Sequence, residues 1–168
     1  MPGAQIGLWF KAGNTFQSLD EQLRPADTQG RYEITGLPAG AQFIVYASGK
    51  GYGKTQQNVE PDTGTNRQEL SPLVLRLANL VIAGQVLKDD DKPAAGVNVF
   101  LNGEGQPDGN TTSDSQGRFH FQVCAGTVHL NANSMNGGGF AQASAEAGDT
   151  NVVLTLGRNF ASAPGVYK

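Results

Sequence analysis

Residues 27–34 read DTQGRYEI, and residues 114–121 read DSQGRFHF. In each stretch an aspartate is followed three residues later by a glycine, and then by apolar side chains at alternate positions. The aspartate carboxylate can accept backbone N–H groups across a tight turn, and the glycine can adopt the positive φ from which the next strand starts. The pattern predicts the same turn and the same strand at two places in the chain.

Four other blocks recur around this one in the same order. The matched pairs are 3–8 with 96–101, 38–44 with 124–130, 51–52 with 139–140, and 73–77 with 152–156. The fixed order indicates an internal duplication, and the differences in spacing fall in loops, where insertions cost little. We therefore expect a first domain at 1–78, a second at 79–158 and a tail at 159–168, with almost no linker between the two copies.

The recurring blocks have the chemistry of strands. Val97, Val99 and Leu101 alternate with their neighbours at the period of two that a half-buried strand requires. Residues 141–147 have a helix-forming composition but no apolar stripe, so we expect an edge strand there. The chain has 23 glycines and 8 prolines among 168 residues, and 16% charged residues, which is typical of turn-rich, all-β sandwich proteins.

Charge, hydropathy and cysteine content argue against several classes of protein. The net charge of −3 argues against a nucleic-acid-binding surface, which needs a concentrated positive excess. No apolar run approaches the ~20 residues of a membrane span, and the chain as written opens without a signal peptide. A single cysteine, Cys124, excludes an internal disulfide and a cysteine-based zinc cage, and its apolar context predicts a small buried side chain.

Several stretches together resemble a known family, the carboxypeptidase regulatory-like domain. Residues 80–99, LVIAGQVLKDDDKPAAGVNV, are similar to its opening, in which an I-x-G-x-V strand and a turn with Lys-Pro precede A-G-A-x-V. Residues 114–121 resemble its T-D-x-x-G-x-F-x-F segment, and residues 37–40 resemble its L-P-P-G. The resemblance implies two tandem immunoglobulin-like, prealbumin-like, seven-stranded antiparallel β-sandwiches, the second of them complete.

The same resemblance implies a function without catalysis. It favours an accessory segment of a larger secreted, cell-surface or periplasmic protein of bacterial type, serving as a structural spacer or presenting module, with the parent protein's other domains as partners. The sequence has no G-x-S-x-G, phosphate-loop or H-E-x-x-H motif, so we expect neither an enzyme nor a cofactor. A transthyretin-like enzyme, which shares a similar sandwich, is the alternative, but its paired His/Arg/Ser signature is not found.

The first copy departs from the family pattern at its start. Nothing ahead of Gly3 matches residues 80–87, so the first sandwich lacks its opening strand and has an exposed sheet edge. We favour the interpretation that the chain is a piece of a longer repeat array. Strand exchange with a second chain is the alternative; the tail at 159–168 could supply the strand, although Pro164 removes one backbone donor.

The two histidines are the candidate metal ligands. A hairpin at 123–126 would place His120 opposite His129 on the outward face, about 5 Å apart at Cβ, where both could bind one zinc or copper ion. A solvated pair without metal is the interpretation that we favour. Asp108, Asn110 and Asp114 lie close in sequence but lack the spacing of a calcium loop.

Outward aromatic side chains are the candidate binding residues. If Ile44 and Tyr46 face the core, then Trp9, Phe43 and Phe100 face outward. Exposed aromatic rings on a sheet can stack on sugar rings or dock a protein, so a glycan- or protein-binding module is the second functional hypothesis. The alternative is that these rings pack beneath loops or between the two copies.

Overall fold

A computed structural model describes residues 1–12, 15–18, 25–38, 40–60, 67–135 and 139–157. Over these ranges the fold is all-β, as the sequence predicts, and it contains no helix. The chain divides into two compact units, Met1–Leu77, called unit one, and Ala78–Lys168, called unit two. Each unit has its own apolar core.

The described part of unit one contains a four-stranded antiparallel sheet. Its strands, in the spatial order β2-β1-β3-β4, are β1 (Gln5–Ala12), β2 (Thr15–Ser18), β3 (Phe43–Ser48) and β4 (Thr55–Val59). Alternate side chains of β3 are buried, and Val45 lies opposite the fully buried Leu8 of β1. Such branched side chains favour a strand because they pack against their cross-strand neighbours. One face of the sheet therefore carries the core of unit one.

A second layer of apolar side chains packs against this core without forming a sheet. It comes from the stretches 25–38 and 67–77, neither of which contains a strand. The side chains concerned, all partly buried, are Tyr32, Ile34, Leu37, Leu70, Leu73 and Leu75. Among the described residues, these stretches make one isolated β-bridge, between Leu77 and Tyr52. In the described ranges, the core of unit one is thus covered by a sheet on one side and by chain outside any strand on the other.

The described residues of unit two form a β-sandwich with seven strands, the number expected. They are β5 (Leu80–Leu87), β6 (Asn98–Asn102), β7 (Gly109–Thr112), β8 (Arg118–Val123), β9 (Thr127–Asn133), β10 (Phe140–Glu146) and β11 (Val152–Thr155). The two sheets have the strand orders β10-β9-β6-β7 and β11-β5-β8. Neighbouring strands are antiparallel except β5 and β11, which run parallel. The edge strand predicted at 141–147 is confirmed as β10.

The two sheets of unit two enclose one core, and β5 is central to it. Ile82 and Val86 of β5 are fully buried and meet side chains from the opposite sheet, such as Leu130 of β9. Gly84 lies between them at a point of close approach. A Cβ on Gly84 would collide with the carbonyl oxygen of Val152, and β11 could not then lie beside β5.

The turn predicted from the repeated aspartates is present in both units. In each turn the aspartate Oδ1 accepts the backbone N–H groups of the residues two and four positions later, at 2.8 and 2.9 Å. Gly30 and Gly117 have the expected positive φ, 77° and 72°. These hydrogen bonds, chiefly that from the residue four positions later, hold the pKa of Asp27 and Asp114 below the usual value because they favour the charged carboxylate.

Candidate ligand-binding surface

The predicted outward aromatic Trp9 belongs to a cluster on the solvent side of the sheet in unit one. Leu8 faces the core, so its neighbour Trp9 faces the other way, and Trp9 is 36% exposed. The Trp9 ring meets the Tyr46 ring of β3 edge to face, with the centroids 5.6 Å apart. Lys54 Nζ lies 4.5 Å from the Tyr46 centroid and 5.5 Å from the Trp9 centroid. We call these three side chains the aromatic surface.

Gly7 makes room for the Tyr46 ring. The two residues are opposite each other in the β1–β3 pair, and a Cβ on Gly7 would collide with the ring. A glycine inside a strand often marks such a close approach, so Gly7 is the signal in the sequence that could have located this surface. The Tyr46 ring thereby lies over the backbone of β1, next to Trp9.

The aromatic surface combines ring faces with a cation. Ring faces can stack on sugars or dock an apolar side chain, and Lys54 can bind a carboxylate or a hydroxyl group. Phe16 of β2 extends the surface, because it lies opposite Lys11, which shares the outward face of β1 with Trp9. Sequence reasoning missed Phe16, Tyr46 and Lys54.

The expectation that Phe43 faces outward is wrong. Phe43 is 7% exposed and lies in the core of unit one, whereas Tyr46, expected in the core, belongs to the aromatic surface. The reason lies in the turn before β3. In unit one, residues 40–45 run from the turn glycine to Val45, which lies opposite the buried Leu8. The matching span in unit two, residues 126–130, ends at Leu130 opposite Leu101 and is one residue shorter. One extra residue exchanges the two faces of a strand.

Phe100 faces outward as predicted, but in unit two. It lies in β6, opposite Asn110 and Asn131, and is 41% exposed. Its neighbours in the sheet are thus amide side chains rather than aromatic rings. The three predicted aromatic residues therefore do not form one surface, and a binding role for Phe100 stays a prediction.

The expected pairing of His120 with His129 is wrong. His120 lies in β8, opposite Ala83, and His129 lies in β9, opposite Ser144. The chain crosses from one sheet to the other between β8 and β9, so these strands are not neighbours as a hairpin would make them. His129 Nδ1 is within hydrogen-bond distance of Ser144 Oγ, at 2.8 Å. The geometry on which a shared metal ion depended is therefore not formed.

A shallow depression of about 730 Å³ lies over the three-stranded sheet of unit two. Its lining includes His120, Arg118 and Asn151, with Gly84 and Val153. All three polar side chains are exposed. The depression brings a guanidinium and an imidazole to one region, but it is open to solvent, so these groups remain hydrated.

Cys124 is fully buried, as predicted, and a neighbouring glutamine fixes its backbone. Gln106 Nε2 donates to the Cys124 carbonyl at 3.0 Å, and Gln106 Oε1 accepts the Cys124 N–H at 2.9 Å. A buried side-chain amide must satisfy both its donor and its acceptor, and this geometry does so. The contact holds the crossing between β8 and β9.

Two further classes of site have no counterpart in the described ranges. No group of three or more His, Cys, Asp or Glu side chains there is arranged to hold a metal ion. Asp114, one of the two aspartates in the stretch compared above with a calcium loop, uses Oδ1 in its turn. No helix in the same ranges has the length and apolar character of a bilayer span.

No family model and no curated protein matches the chain. Solved structures that resemble it include a streptococcal ancillary pilin, the Bacillus anthracis TIE protein, and BcpA, the major pilin subunit of Bacillus cereus. In that order the sequence identities are 12%, 15% and 9%, and the TM-scores are 0.38, 0.37 and 0.37. The alignments cover 93%, 92% and 76% of this chain but 58%, 30% and 42% of those proteins, so the chain spans less than two thirds of each.

Proposed function

We propose that the chain consists of two copies of one β-sandwich module and acts as a non-catalytic spacer or presenting segment of a larger protein. The turns at Asp27 and Asp114 support the duplication, since they have the same hydrogen bonds at the same distances. The resemblance of residues 80–99 to the carboxypeptidase regulatory-like domain supports a secreted, cell-surface or periplasmic location. The partners are then the neighbouring domains of the parent protein.

The main support for the proposal is that these polar side chains make hydrogen bonds within the fold. Asp27 and Asp114 hold turns, Gln106 holds the crossing between two sheets, and His129 contacts a serine of the next strand. These groups stabilise the fold and are not directed at a common point in space. Such use is typical of a structural module.

A spacer must hold its two ends at a fixed separation. Unit one ends at Leu77 and β5 begins at Leu80, so only two residues, Ala78 and Asn79, lie between the end of unit one and the first strand of unit two. A joint this short cannot act as a flexible tether. It supports a role in which the module sets a distance.

Distances between two spin labels, measured by electron–electron double resonance, test this role. The labels go on Asn58→Cys, an exposed position of β4, and Thr155→Cys in a Cys124→Ala background, and a pair inside unit two, Asn102→Cys with Thr155→Cys, gives the reference width. We expect a distribution for the first pair about as narrow as the reference. A distribution several times broader, typical of a flexible joint, would contradict the spacer role.

The aromatic surface supports a second candidate function, binding of a glycan or a protein. Trp9 and Tyr46 present ring faces on the solvent side of the sheet beside Lys54. A glycan array and a protein pull-down, each run with the whole chain, test it. Trp9→Ala should abolish any binding, whereas Phe100→Ala, an exposed aromatic of unit two, should leave it unchanged. Absence of binding, or loss with Phe100→Ala alone, would refute this function.

A further inference from the structure

The three-stranded sheet of unit two has no counterpart in the described part of unit one, although its flanking segments do. In unit two, β5 lies between β8 and β11. By the repeat, residues 31–36 correspond to β8 and residues 73–77 to β11. None of these residues lies in a strand, and among the described residues only Leu77 makes an isolated bridge. We call the position between the two segments, which β5 fills in unit two, the open slot.

The segment 31–36 presents the same faces as β8. Tyr32 and Ile34 pack against the core of unit one, as Phe119 and Phe121 do in unit two. Tyr32 remains partly exposed, whereas Phe119 is buried. The segment is thus arranged for strand pairing, but its apolar side chains are not fully covered.

The segment 73–77 presents the same faces as β11. Leu73 and Leu75 pack against the core and Val74 is 72% exposed, just as Val153 of β11 is 56% exposed between two buried neighbours. Leu73 and Leu75 are only partly buried. Both sides of the open slot therefore retain apolar surface that a central strand would cover.

An unsatisfied polar group points to the same position. In unit two the tip of the Phe119 ring lies 2.8 Å from the point that a Cβ on Gly84 of β5 would occupy. Tyr32 matches Phe119 and carries a hydroxyl group at that tip. This hydroxyl is buried and, within the described ranges, has no hydrogen-bond partner, and burial raises its pKa. A strand backbone in the open slot would supply the partner.

The start of the described chain lies beside the open slot. A Cβ on Gly117 would lie 3.1 Å from the backbone nitrogen of Ala94, which follows the turn after β5. A Cβ on the matching Gly30 would lie 2.7 Å from the backbone nitrogen of Met1. Met1 thus occupies the position in unit one that Ala94 occupies in unit two. The residue that follows the turn after β5 in unit two therefore has a counterpart beside the open slot.

We propose that the open slot binds an extended peptide segment with the sequence pattern of β5, which adds as the central strand, antiparallel to 31–36 and parallel to 73–77. Unit two shows what this strand requires: apolar side chains at the positions of Ile82 and Val86, and glycine at the position of Gly84. The added strand gains main-chain hydrogen bonds on both sides, and alternate side chains enter the core. The occupant is a segment of this chemistry that is not already part of a sheet. The inference rests on the proposed duplication, not on the spacer role.

The test uses the whole chain and a synthetic peptide of residues 80–87, LVIAGQVL, with a polar solubilising tail. Hydrogen exchange of 31–36 and 70–77 should slow about tenfold when the free peptide is at ten times its dissociation constant. The amides of β8 and β11 should not change, since their central position is already filled. A peptide with valine at the glycine position should give no protection, because its side chain would meet Tyr32.

Paired variants show whether the peptide binds in the open slot. Leu75→Asp, which places a charge on the core-facing side of the segment that borders the slot, should abolish the protection, whereas Val74→Asp, on the exposed side of the same segment, should retain it. Unchanged exchange in β1 and β3 and unchanged Trp9 emission show that unit one remains folded in each variant. If Leu75→Asp unfolds unit one, Tyr32→Trp, which fills the slot, serves instead.

Two results would overturn the proposal. One is the absence of protection at saturating peptide in a folded, monomeric chain. The other is a doubled mass by light scattering without peptide, which would assign the slot to a second copy. The spin-label distances do not involve the peptide, so failure here leaves the spacer role to be decided separately.

Discussion

Unit one and unit two contain the same turn and the same alternation of apolar side chains, but only unit two forms a second sheet among the described residues. The difference is a single strand, β5, which has a hydrogen-bonded neighbour on each side. In unit one, Leu73 and Leu75 still face the core, but their backbone pairs with no strand among the described residues. Apolar periodicity therefore decides which side chains face the core, whereas strand formation needs a neighbouring backbone.

The largest expected difference between the units is in hydrogen exchange. Amides in a paired core strand exchange through openings that cost several kcal/mol, and each 1.4 kcal/mol is about a factor of ten in rate. The amides of 70–76 should therefore exchange about a thousandfold faster than those of β11, and 32–36 faster than β8 by a similar factor. Peptide-resolved mass spectrometry measures both pairs in one experiment. Similar rates within each pair would show that unit one has the same second sheet.

Removing apolar side chains from β5 should make unit two resemble unit one. Ile82→Ala leaves a cavity at a fully buried position and should cost about 2–5 kcal/mol of unfolding free energy. Val153→Ala, on the exposed side of the neighbouring β11, should cost about 0.5 kcal/mol or less. Calorimetry measures the unfolding of unit two, and the emission of Trp9, the chain's only tryptophan, serves as the reference for unit one. Equal costs for the two variants would contradict the central role of β5.

The sequence could predict the all-β class and the repeated turn because each depends on local chemistry, whereas the number of strands in unit two, seven, was implied by the family resemblance. Period-two alternation and the Asp-x-x-Gly turn act over a few residues. The parallel pairing of β5 with β11 could not be predicted in this way, because it joins residues about 70 positions apart in the chain. The missing strand pairing in unit one depends on a neighbour rather than on the segment's own residues.

The candidate site was predicted less well than the fold because it depends on register. Trp9 was identified correctly as outward, but Phe43 and Tyr46 exchanged faces through one additional residue in a turn. His120 and His129 were separated because the chain changes sheets at a point where a tight hairpin was the local expectation. A close cross-strand approach such as that of Gly7 and Tyr46 is indicated in the sequence only by a glycine.

Two strand glycines, one in each unit, test whether adding a methyl group at a close approach lowers the unfolding free energy equally on a core face and on a solvent face. Gly84→Ala places a methyl group against the Val152 carbonyl, which cannot move without separating β5 from β11, and should cost about 1–3 kcal/mol. Gly7→Ala meets the Tyr46 ring, which can turn toward solvent, and should cost about 1 kcal/mol or less. Urea unfolding monitored by circular dichroism and by Trp9 emission compares them. A larger cost for Gly7→Ala would show that the Tyr46 ring is as constrained as a core backbone.

The smallest expected effect is the pH dependence of the two matching turns. Hydrogen bonds to the carboxylates of Asp27 and Asp114 lower both pKa values in the folded state, so the folded protein binds fewer protons than the unfolded chain. Their contribution to stability is therefore present above the unfolded pKa of about 3.9 and is lost as the pH falls through the lower folded value.

Asp114→Asn keeps an acceptor oxygen but does not titrate, so the melting temperature of unit two should fall less on acidification than in the parent chain. Asp27→Asn should do the same for unit one alone, and if neither variant changes the acid dependence, the turns do not contribute to it. A response in only one unit would show that the two turns, identical in their hydrogen bonds, differ in how strongly the surrounding sheet depends on them.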